Sequence, residues 1–216
     1  MSKIKVFLGG YINYKNAQNI NCKSIADSLD KEKFEVYTLT AHYGERIKTD
    51  FRIFNCFWPF IISSNIGFLW GVLNSDVAYL PKHINTPLWL LRFAKLIKRP
   101  VFTTIEGNVS DRSKSNLIDL FNNEKKVKKH FSYFNQVFPI SRYLSCQSGD
   151  LICINKNPLY LGVDSTFFSD IKRKKNGISR IIFLGGVIKR KRVDEFLLLA
   201  KHFPNLRFDL IADNPV

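Results

Sequence analysis

Two stretches of the sequence follow the same plan, Lys3-Ile-Lys-Val-Phe-Leu-Gly-Gly10 and Arg180-Ile-Ile-Phe-Leu-Gly-Gly186. Each reads as an apolar strand that runs into two glycines and is followed by an amphipathic helix. A second strand closes each copy, at Phe34–Leu39 and at Leu206–Ile211, and five residues remain after the last one. Strand, glycine turn, helix and strand form the right-handed unit of doubly wound sheets, which bind ligands at the carboxyl ends of their strands.

Between the two copies, apolar runs and helical patterns alternate. Short strands are predicted at 77–80, 101–105, 136–140 and 151–154, with helical apolar faces between several of them. The last helix is expected to bury Val193, Phe196, Leu197 and Ala200. This alternation predicts an α/β fold with a mainly parallel sheet and helices on both faces. We expect a complete domain at 1–170, a basic linker at 171–177 and the opening βαβ unit of a second domain at 178–216.

The charge balance is unusual, because 33 Lys and Arg against 18 Asp and Glu give a net charge of +15. Such an excess favours anionic partners: sugar-nucleotide phosphates, an anionic membrane surface or nucleic acid. A Lys-rich and Phe-rich genome composition is an equally good explanation for much of it. The four cysteines form no CxxC pair and have no histidine at a metal-ligand spacing, which predicts a reducing compartment and no metal site.

Residues 53–75 carry no charge and are numerous enough to cross a bilayer. The segment also contains a proline, two glycines and several Asn and Ser, which lower its apolar density. A spanning helix would interrupt the strand and helix alternation. We therefore expect a buried strand and helix here, or an apolar patch at a membrane interface.

Glycines at the end of the first strand allow the backbone to approach a ligand closely. If Gly9 and Gly10 lead directly into a helix, its free N–H groups would favour a phosphate or sugar hydroxyls. Glycines also end strands for steric reasons, so a binding role for this pair is the less favoured alternative. The sequence contains neither GxGxxG nor GxxxxGK[ST], which argues against a dinucleotide cofactor or a P-loop.

Six stretches, in order, resemble the motifs of the retaining family-4 glycosyltransferases, which have the GT-B fold of two facing Rossmann-like domains. They are the Gly9-Gly10 turn, Ser75–Tyr79, Val101–Gly107, Val137–Leu144, Leu161–Phe167 and Phe183–Asp194. The resemblance covers essentially the whole chain. It implies an α/β fold of GT-B type, with an acceptor-side domain followed by the truncated start of a nucleotide-sugar-binding domain.

The resemblance also implies roles for individual residues. Lys191 stands at the family's conserved lysine and would contact the donor diphosphate, although the run from Lys189 to Arg192 could equally be a solvated charge cluster. Gly185, Gly186 and Lys189 complete the expected donor site, and Gly186 replaces the family's usual arginine. Gly9, Gly10 and Asn108 are the expected acceptor-side or phosphate-binding residues. Glu106, where many members have a histidine, and His83 are the candidate catalytic residues, and a loop-bracing role for Glu106 is slightly favoured.

The expected function is therefore sugar transfer from a nucleotide sugar to a glycan or polyprenyl-lipid-linked acceptor in surface polysaccharide assembly. The nucleotide sugar is a substrate, and neither a cofactor nor a metal ion is expected. The resemblance predicts a cytoplasmic enzyme that can be peripheral at the inner face of the membrane. The family's two-glutamate motif lies beyond the last strand seen here, so the 216-residue chain alone is expected to be inactive.

Three alternatives stay open at this point. The chain could be a non-catalytic accessory or degenerate glycosyltransferase-like protein that keeps acceptor or membrane binding. It could bind nucleic acid through the basic runs at 172–175 and 189–192, but no nucleic-acid-binding motif accompanies these charges, so this reading is not favoured. A membrane-spanning protein through residues 53–75 is the third.

Overall fold

A computed structural model of the chain describes residues 2–81, 86–107, 121, 123–147, 151–162, 177–187 and 191–212. The chain divides into two compact units, Met1–Val163 and Asp164–Val216, which we call the first and the second unit. Of the predicted site residues, His83, Asn108 and Lys189 lie outside the described residues.

Eleven of the described helices and strands belong to the first unit. In chain order they are β1 (Ile4–Tyr11), α1 (Ala17–Ser28), β2 (Phe34–Thr40), β3 (Arg52–Asn55), α2 (Phe60–Asn74), β4 (Val77–Tyr79), α3 (Leu88–Leu96), β5 (Val101–Ile105), α4 (Glu124–Phe131), β6 (Gln136–Pro139) and α5 (Arg142–Gln147). The second unit contains β7 (Arg180–Leu184), α6 (Val193–His202) and β8 (Arg207–Ile211).

The strands of the first unit form one parallel sheet in the order β3-β2-β1-β4-β5-β6. The strand order reverses between β1 and β4, which is the doubly wound arrangement of Rossmann-like domains. The predicted parallel α/β sheet is therefore confirmed. The uncharged segment at 53–75 folds as most of β3 and the helix α2, so the predicted strand and helix are confirmed, but β3 is partly exposed rather than buried.

Both faces of this sheet are packed, because neighbouring residues of a strand point to opposite sides. Phe7 lies in the core cluster to which α2, α3 and α4 contribute side chains. Val6 and Leu8 lie in a second cluster, beneath α1, with Cys22 and Ala26. The amphipathic helix predicted after the first glycine pair is thus confirmed, with Cys22 and Ala26 on its apolar face.

Local sequence explains where the first helix begins and how closely the second packs. Asn16 caps α1, since its side chain accepts a hydrogen bond of 2.9 Å from the Asn19 N–H. In α2, Gly71 lies directly against the Phe7 ring and leaves no room for a side chain. This contact brings the backbone of α2 down onto the centre of the sheet.

The described part of the second unit has one helix on one face of a two-stranded sheet. β7 and β8 pair in parallel, and Phe196 of α6 packs against Phe183 and Phe208 with ring centroids 5.3 and 5.4 Å apart. The opposite face of the pair carries an ion pair between Arg180 and Asp209. Its apolar residues, Ile182, Leu184 and Ile211, are exposed.

Three details of the sequence interpretation are corrected. Leu197 is 51% exposed rather than buried, because two strands cannot cover the whole apolar width of α6. Residues 151–154 form a turn and an irregular segment, not a strand, although Ile152 is buried. β1 does not end before its glycines but continues through them to Tyr11.

Candidate functional site

The carboxyl ends of β1 and β4 meet where the strand order reverses, which is where doubly wound sheets bind their ligands. Here Gly9 and Gly10 are part of β1, and α1 begins only at Ala17, so the glycines do not lead directly into a helix. A β-carbon on Gly9 would lie 2.5 Å from Leu80 Cδ2, and one on Gly10 would lie 2.7 Å from Cys22 Sγ. Close packing inside the first unit therefore accounts for both glycines.

The loop after β1 is held by a buried asparagine of α1. The Tyr11 N–H donates to Asn19 Oδ1 over 2.9 Å, and Asn19 Nδ2 donates to the Tyr14 carbonyl over 2.9 Å. The same Asn19 oxygen would lie 3.4 Å from a β-carbon on Gly10. Protein atoms thus fill the space where the glycine pair was expected to receive a phosphate, and its ligand-binding role stays a prediction.

A buried row of hydrogen-bonded polar side chains lies beside this loop, and the sequence did not lead us to predict it. The hydroxyls of Tyr79 and Thr104 are 2.8 Å apart, and Asn21 Nδ2 donates to the Tyr79 hydroxyl over 3.4 Å. Burial raises the pKa of Tyr79 and keeps its phenol neutral. Two adjacent threonines in a buried strand were the available signal: Thr103 donates to the Leu80 carbonyl over 2.7 Å, and Thr104 faces Tyr79.

Glu106 follows β5 directly and is the candidate catalytic residue that the structure describes. Its side chain reaches solvent, but the surrounding protein displaces part of its hydration and raises its pKa above the ordinary carboxyl value. The Glu106 charge also contributes to the raised pKa of Tyr79. Because β4 separates β5 from β1, the strands that carry Glu106 and Gly9 are two strand spacings apart, about 10 Å.

A cleft of about 480 Å³ opens at the carboxyl ends of β2 and β3. His42, Arg46 and Lys48 line it together with Thr40 and Asn55, whose side chains are hydrogen-bonded over 2.7 Å. Neither Arg46 nor Lys48 forms a salt bridge with any residue that the structure describes. The cleft therefore offers positive charge and polar groups at the carboxyl ends of the strands, and Glu45, which also lines it, pairs with Lys15.

In the second unit, two of the predicted donor-site residues are in contact. Gly185 directly follows β7 with φ of +148°, a conformation that favours glycine, and its N–H donates to the Ile211 carbonyl over 3.0 Å. The Lys191 side chain lies across it, so that a β-carbon on Gly185 would be 2.5 Å from Lys191 Nζ. The Lys191 ammonium group therefore lies at the carboxyl end of β7.

The residues that flank Gly185 and Lys191 in the sequence differ in their surroundings. A β-carbon on Gly186 would meet no atom within 4 Å. Arg192 adopts a left-handed conformation with φ of 52° just before α6, and its guanidinium pairs with Glu195. Arg192 is thus engaged, whereas Lys191 forms no ion pair among the described residues.

Two features are missing from the part of the chain that the structure describes. His, Cys, Asp and Glu side chains form no group of three that could hold a metal ion within the described ranges. In the same ranges, no helix combines the length and the apolar character that crossing a membrane takes.

No protein-family model matches the chain, and no curated protein matches it. Among solved structures, it is similar to a protein from Listeria monocytogenes described as a UDP-N-acetylglucosamine 2-epimerase. The match has a TM-score of 0.51 at 14% sequence identity and covers 99% of this chain and 70% of the other. The likeness is one of fold. The chain has a Rossmann-like α/β fold, a six-stranded parallel sheet plus a short parallel pair, that resembles a GT-B-like epimerase.

Proposed function

We propose that the chain is part of a glycosyltransferase that resembles the retaining family-4 enzymes and moves a sugar from a nucleotide sugar to a glycan or lipid-linked acceptor. The observation that carries the proposal is the contact between Lys191 and Gly185 at the carboxyl end of β7. The GT-B-like fold over 99% of the chain supports it, because the similar protein is described as acting on a UDP-sugar.

In this proposal, Lys191 binds the donor diphosphate. A lysine ammonium is a compact positive charge, and pairing it with a phosphate oxygen gives a strong charge-assisted hydrogen bond. Negative charge grows on the diphosphate as the bond to the sugar breaks, so a fixed cation there stabilises the transition state. Gly185 and Gly186 would let the diphosphate approach the backbone, and Lys189 would add a second cation.

The first unit would hold the acceptor. Glu106, with its raised pKa, is better suited than an ordinary carboxylate to accept a proton or a hydrogen bond from a sugar hydroxyl. The glycine pair, Asn108 and His83 are the other proposed acceptor-side or catalytic residues. The proposal places the enzyme in the cytoplasm, at the inner face of the membrane, in surface polysaccharide assembly, and gives it no metal ion.

A second candidate is a nucleotide-sugar epimerase, which the structural match favours. It would use the same nucleotide-sugar site but would change a stereocentre of the sugar and need no acceptor. Product analysis separates the two: a transferase releases a nucleoside diphosphate only when an acceptor is present, whereas an epimerase gives a new nucleotide sugar without one.

Nucleotide-sugar binding tests the proposal. Saturation-transfer NMR and calorimetry with a panel of UDP-, GDP- and ADP-sugars would identify a ligand of the 216-residue chain. Lys191→Gln is expected to weaken that binding by tenfold or more, because a charge-assisted hydrogen bond contributes about 1.5–3 kcal/mol. Lys201→Gln, which removes an exposed charge from α6 of the same unit, is the matched control and should bind normally.

The absence of binding by every nucleotide sugar would contradict the proposal. If Lys191→Gln and Lys201→Gln weakened nucleotide-sugar binding equally, Lys191 would not be a binding residue, and the loss would be a general effect of the net charge.

A further inference from the structure

Three helices of the first unit, α2, α3 and α4, cover the same face of its sheet, and their outer surface is rich in exposed apolar side chains. We call this surface the helical face. Trp58 is 79% exposed just before α2, Ile61 is 76% exposed in its first turn, and Leu96 is 79% exposed at the end of α3. Ile62, Ile66 and Trp89 are also exposed there.

Packing joins the three helices into one surface. All three contribute buried side chains to the same core cluster, and α2 packs directly against α3. Arg92 of α3 donates over 3.2 Å to the Tyr133 hydroxyl, two residues beyond α4. Lys95 lies 5.5 Å from the centre of the same ring. The helical face is thus a continuous part of a packed domain.

The charge on this surface is predominantly positive. Residues 57–74 carry no charge, and α3 carries only Arg92 and Lys95. The helix α4 adds four exposed lysines, at positions 125, 126, 128 and 129. Glu124 is the one acidic residue in the three helices. Six basic side chains therefore border an apolar surface that contains two exposed tryptophans.

The opposite face of the same sheet differs. There α1 presents a mixture of Lys23 and Asp27, and Ile20 is the large apolar residue of α1 that is exposed. The concentration of tryptophan, isoleucine and lysine is thus a property of one face, which a uniformly Lys-rich composition does not explain.

We propose that the helical face docks the protein on an anionic lipid bilayer. Tryptophan and isoleucine would enter the boundary between headgroups and acyl chains, and lysine and arginine would pair with anionic headgroups. The charge favours this partner over a second copy of the chain, which would carry the same positive charge. It also favours it over a typical protein partner, since lysine is depleted from protein interfaces.

The intrinsic fluorescence of the unmodified chain gives a direct test. Adding vesicles of phosphatidylcholine with 30% phosphatidylglycerol at low salt should shift the tryptophan emission to shorter wavelength, and lipids brominated on their acyl chains should quench it. Neutral phosphatidylcholine vesicles should do neither. Trp58→Phe should remove most of the quenching, because Trp58 is the most exposed of the three tryptophans.

Matched variants locate the contact. Ile61→Ser with Ile62→Ser should lower the vesicle partition coefficient by at least tenfold, since two apolar side chains no longer leave water. Lys125→Gln with Lys128→Gln and Lys129→Gln should lower it by roughly a hundredfold at low salt. The control is Ile20→Ser with Lys23→Gln on the opposite face, which should bind like the unmodified chain. Circular dichroism checks that each variant is folded.

The membrane proposal does not rest on sugar transfer, because vesicle binding needs no nucleotide sugar. Failure of the unmodified chain to bind anionic vesicles at low salt would overturn it, as would an equal loss of binding in the opposite-face control. If sedimentation velocity shows a dimer that the Ile61 and Ile62 changes dissociate, and no vesicle binding, the helical face is a contact between two copies and the proposal is wrong.

Discussion

The tetrapeptide Phe-Leu-Gly-Gly occurs once in each unit, at Phe7–Gly10 within β1 and at Phe183–Gly186, where β7 ends at Leu184, yet its environment differs sharply between them. Leu8 is 1% exposed, whereas Leu184 is 75% exposed. β1 lies inside a six-stranded sheet with helices on both faces, and β7 pairs with β8 alone among the described strands. The same local sequence becomes core only where neighbouring strands and helices surround it.

The glycines show the functional side of this difference. In the first unit, Leu80 and Cys22 occupy the space beside Gly9 and Gly10. In the second, Gly186 has no neighbouring atom within 4 Å, and only the flexible Lys191 side chain crosses Gly185. The same glycine pair thus permits close packing in the first unit and borders open space beside a cation in the second.

The largest expected effect comes from truncating the two equivalent leucines. Leu8→Ala should lower the free energy of unfolding of the first unit by about 2–5 kcal/mol, because it leaves a cavity in the core. Leu184→Ala should change the stability of the second unit by less than about 0.5 kcal/mol, as expected for an exposed position. Urea titration followed by tryptophan fluorescence reports on the first unit, which contains all three tryptophans, and amide hydrogen exchange of β7 and β8 reports on the second.

A comparable loss in both variants would mean that Leu184 is covered in solution. The contrast between the two units would then be wrong.

The pH dependence of stability should also differ between the two units. His130 is buried against Phe121, Phe131 and Phe134, and its Nε2 has no hydrogen-bond partner among the described residues. Burial lowers the pKa of His130 to about 4, below the ordinary value of 6.5, so the unfolded chain binds the proton more tightly. The first unit should therefore keep its full stability above pH 6.5 and lose up to about 3 kcal/mol as the pH falls to 4.

Urea unfolding at a series of pH values measures this slope. His130→Phe should flatten it between pH 4 and 6.5, whereas His202→Gln, at an exposed position of the second unit, should leave it unchanged. An unchanged slope in His130→Phe would show that other groups cause the acid sensitivity.

The smallest difference is expected for single methyl groups added to the glycines. Gly10→Ala should destabilise the first unit by about 1–3 kcal/mol, because the new carbon would lie 2.7 Å from Cys22 Sγ. Gly186→Ala should be nearly neutral, since nothing lies within 4 Å. Thermal unfolding of the two variants measures the difference, and a neutral Gly10→Ala would show that the loop after β1 can move aside.

Much of the first unit could be predicted from the sequence, because strand and helix alternation and the apolar face at Cys22 and Ala26 are local patterns. The continuation of β1 to Tyr11 could not, since it depends on pairing with the end of β2. The contact between Tyr79 and Thr104 joins residues of two different strands, so it could not be predicted from local patterns in the sequence. The exposure of Leu197 was missed because periodicity shows which face of a helix is apolar, not whether a neighbour covers it.

At the candidate site, the contact of Lys191 with Gly185 follows a motif position that the sequence interpretation singled out. The filled space beside Gly10 does not follow from the sequence, because Asn19 and Cys22 reach it from a helix that begins six residues beyond the end of β1.

Amide hydrogen exchange at β1 and β7 tests the contrast between the two units most directly. The amides of Val6–Leu8 should exchange only through global unfolding, whereas those of Ile182–Leu184 should exchange orders of magnitude faster, because β7 pairs on one side only among the described residues and its outer face is open. Equal protection of both strands would show that β7 is covered in solution and would contradict the account.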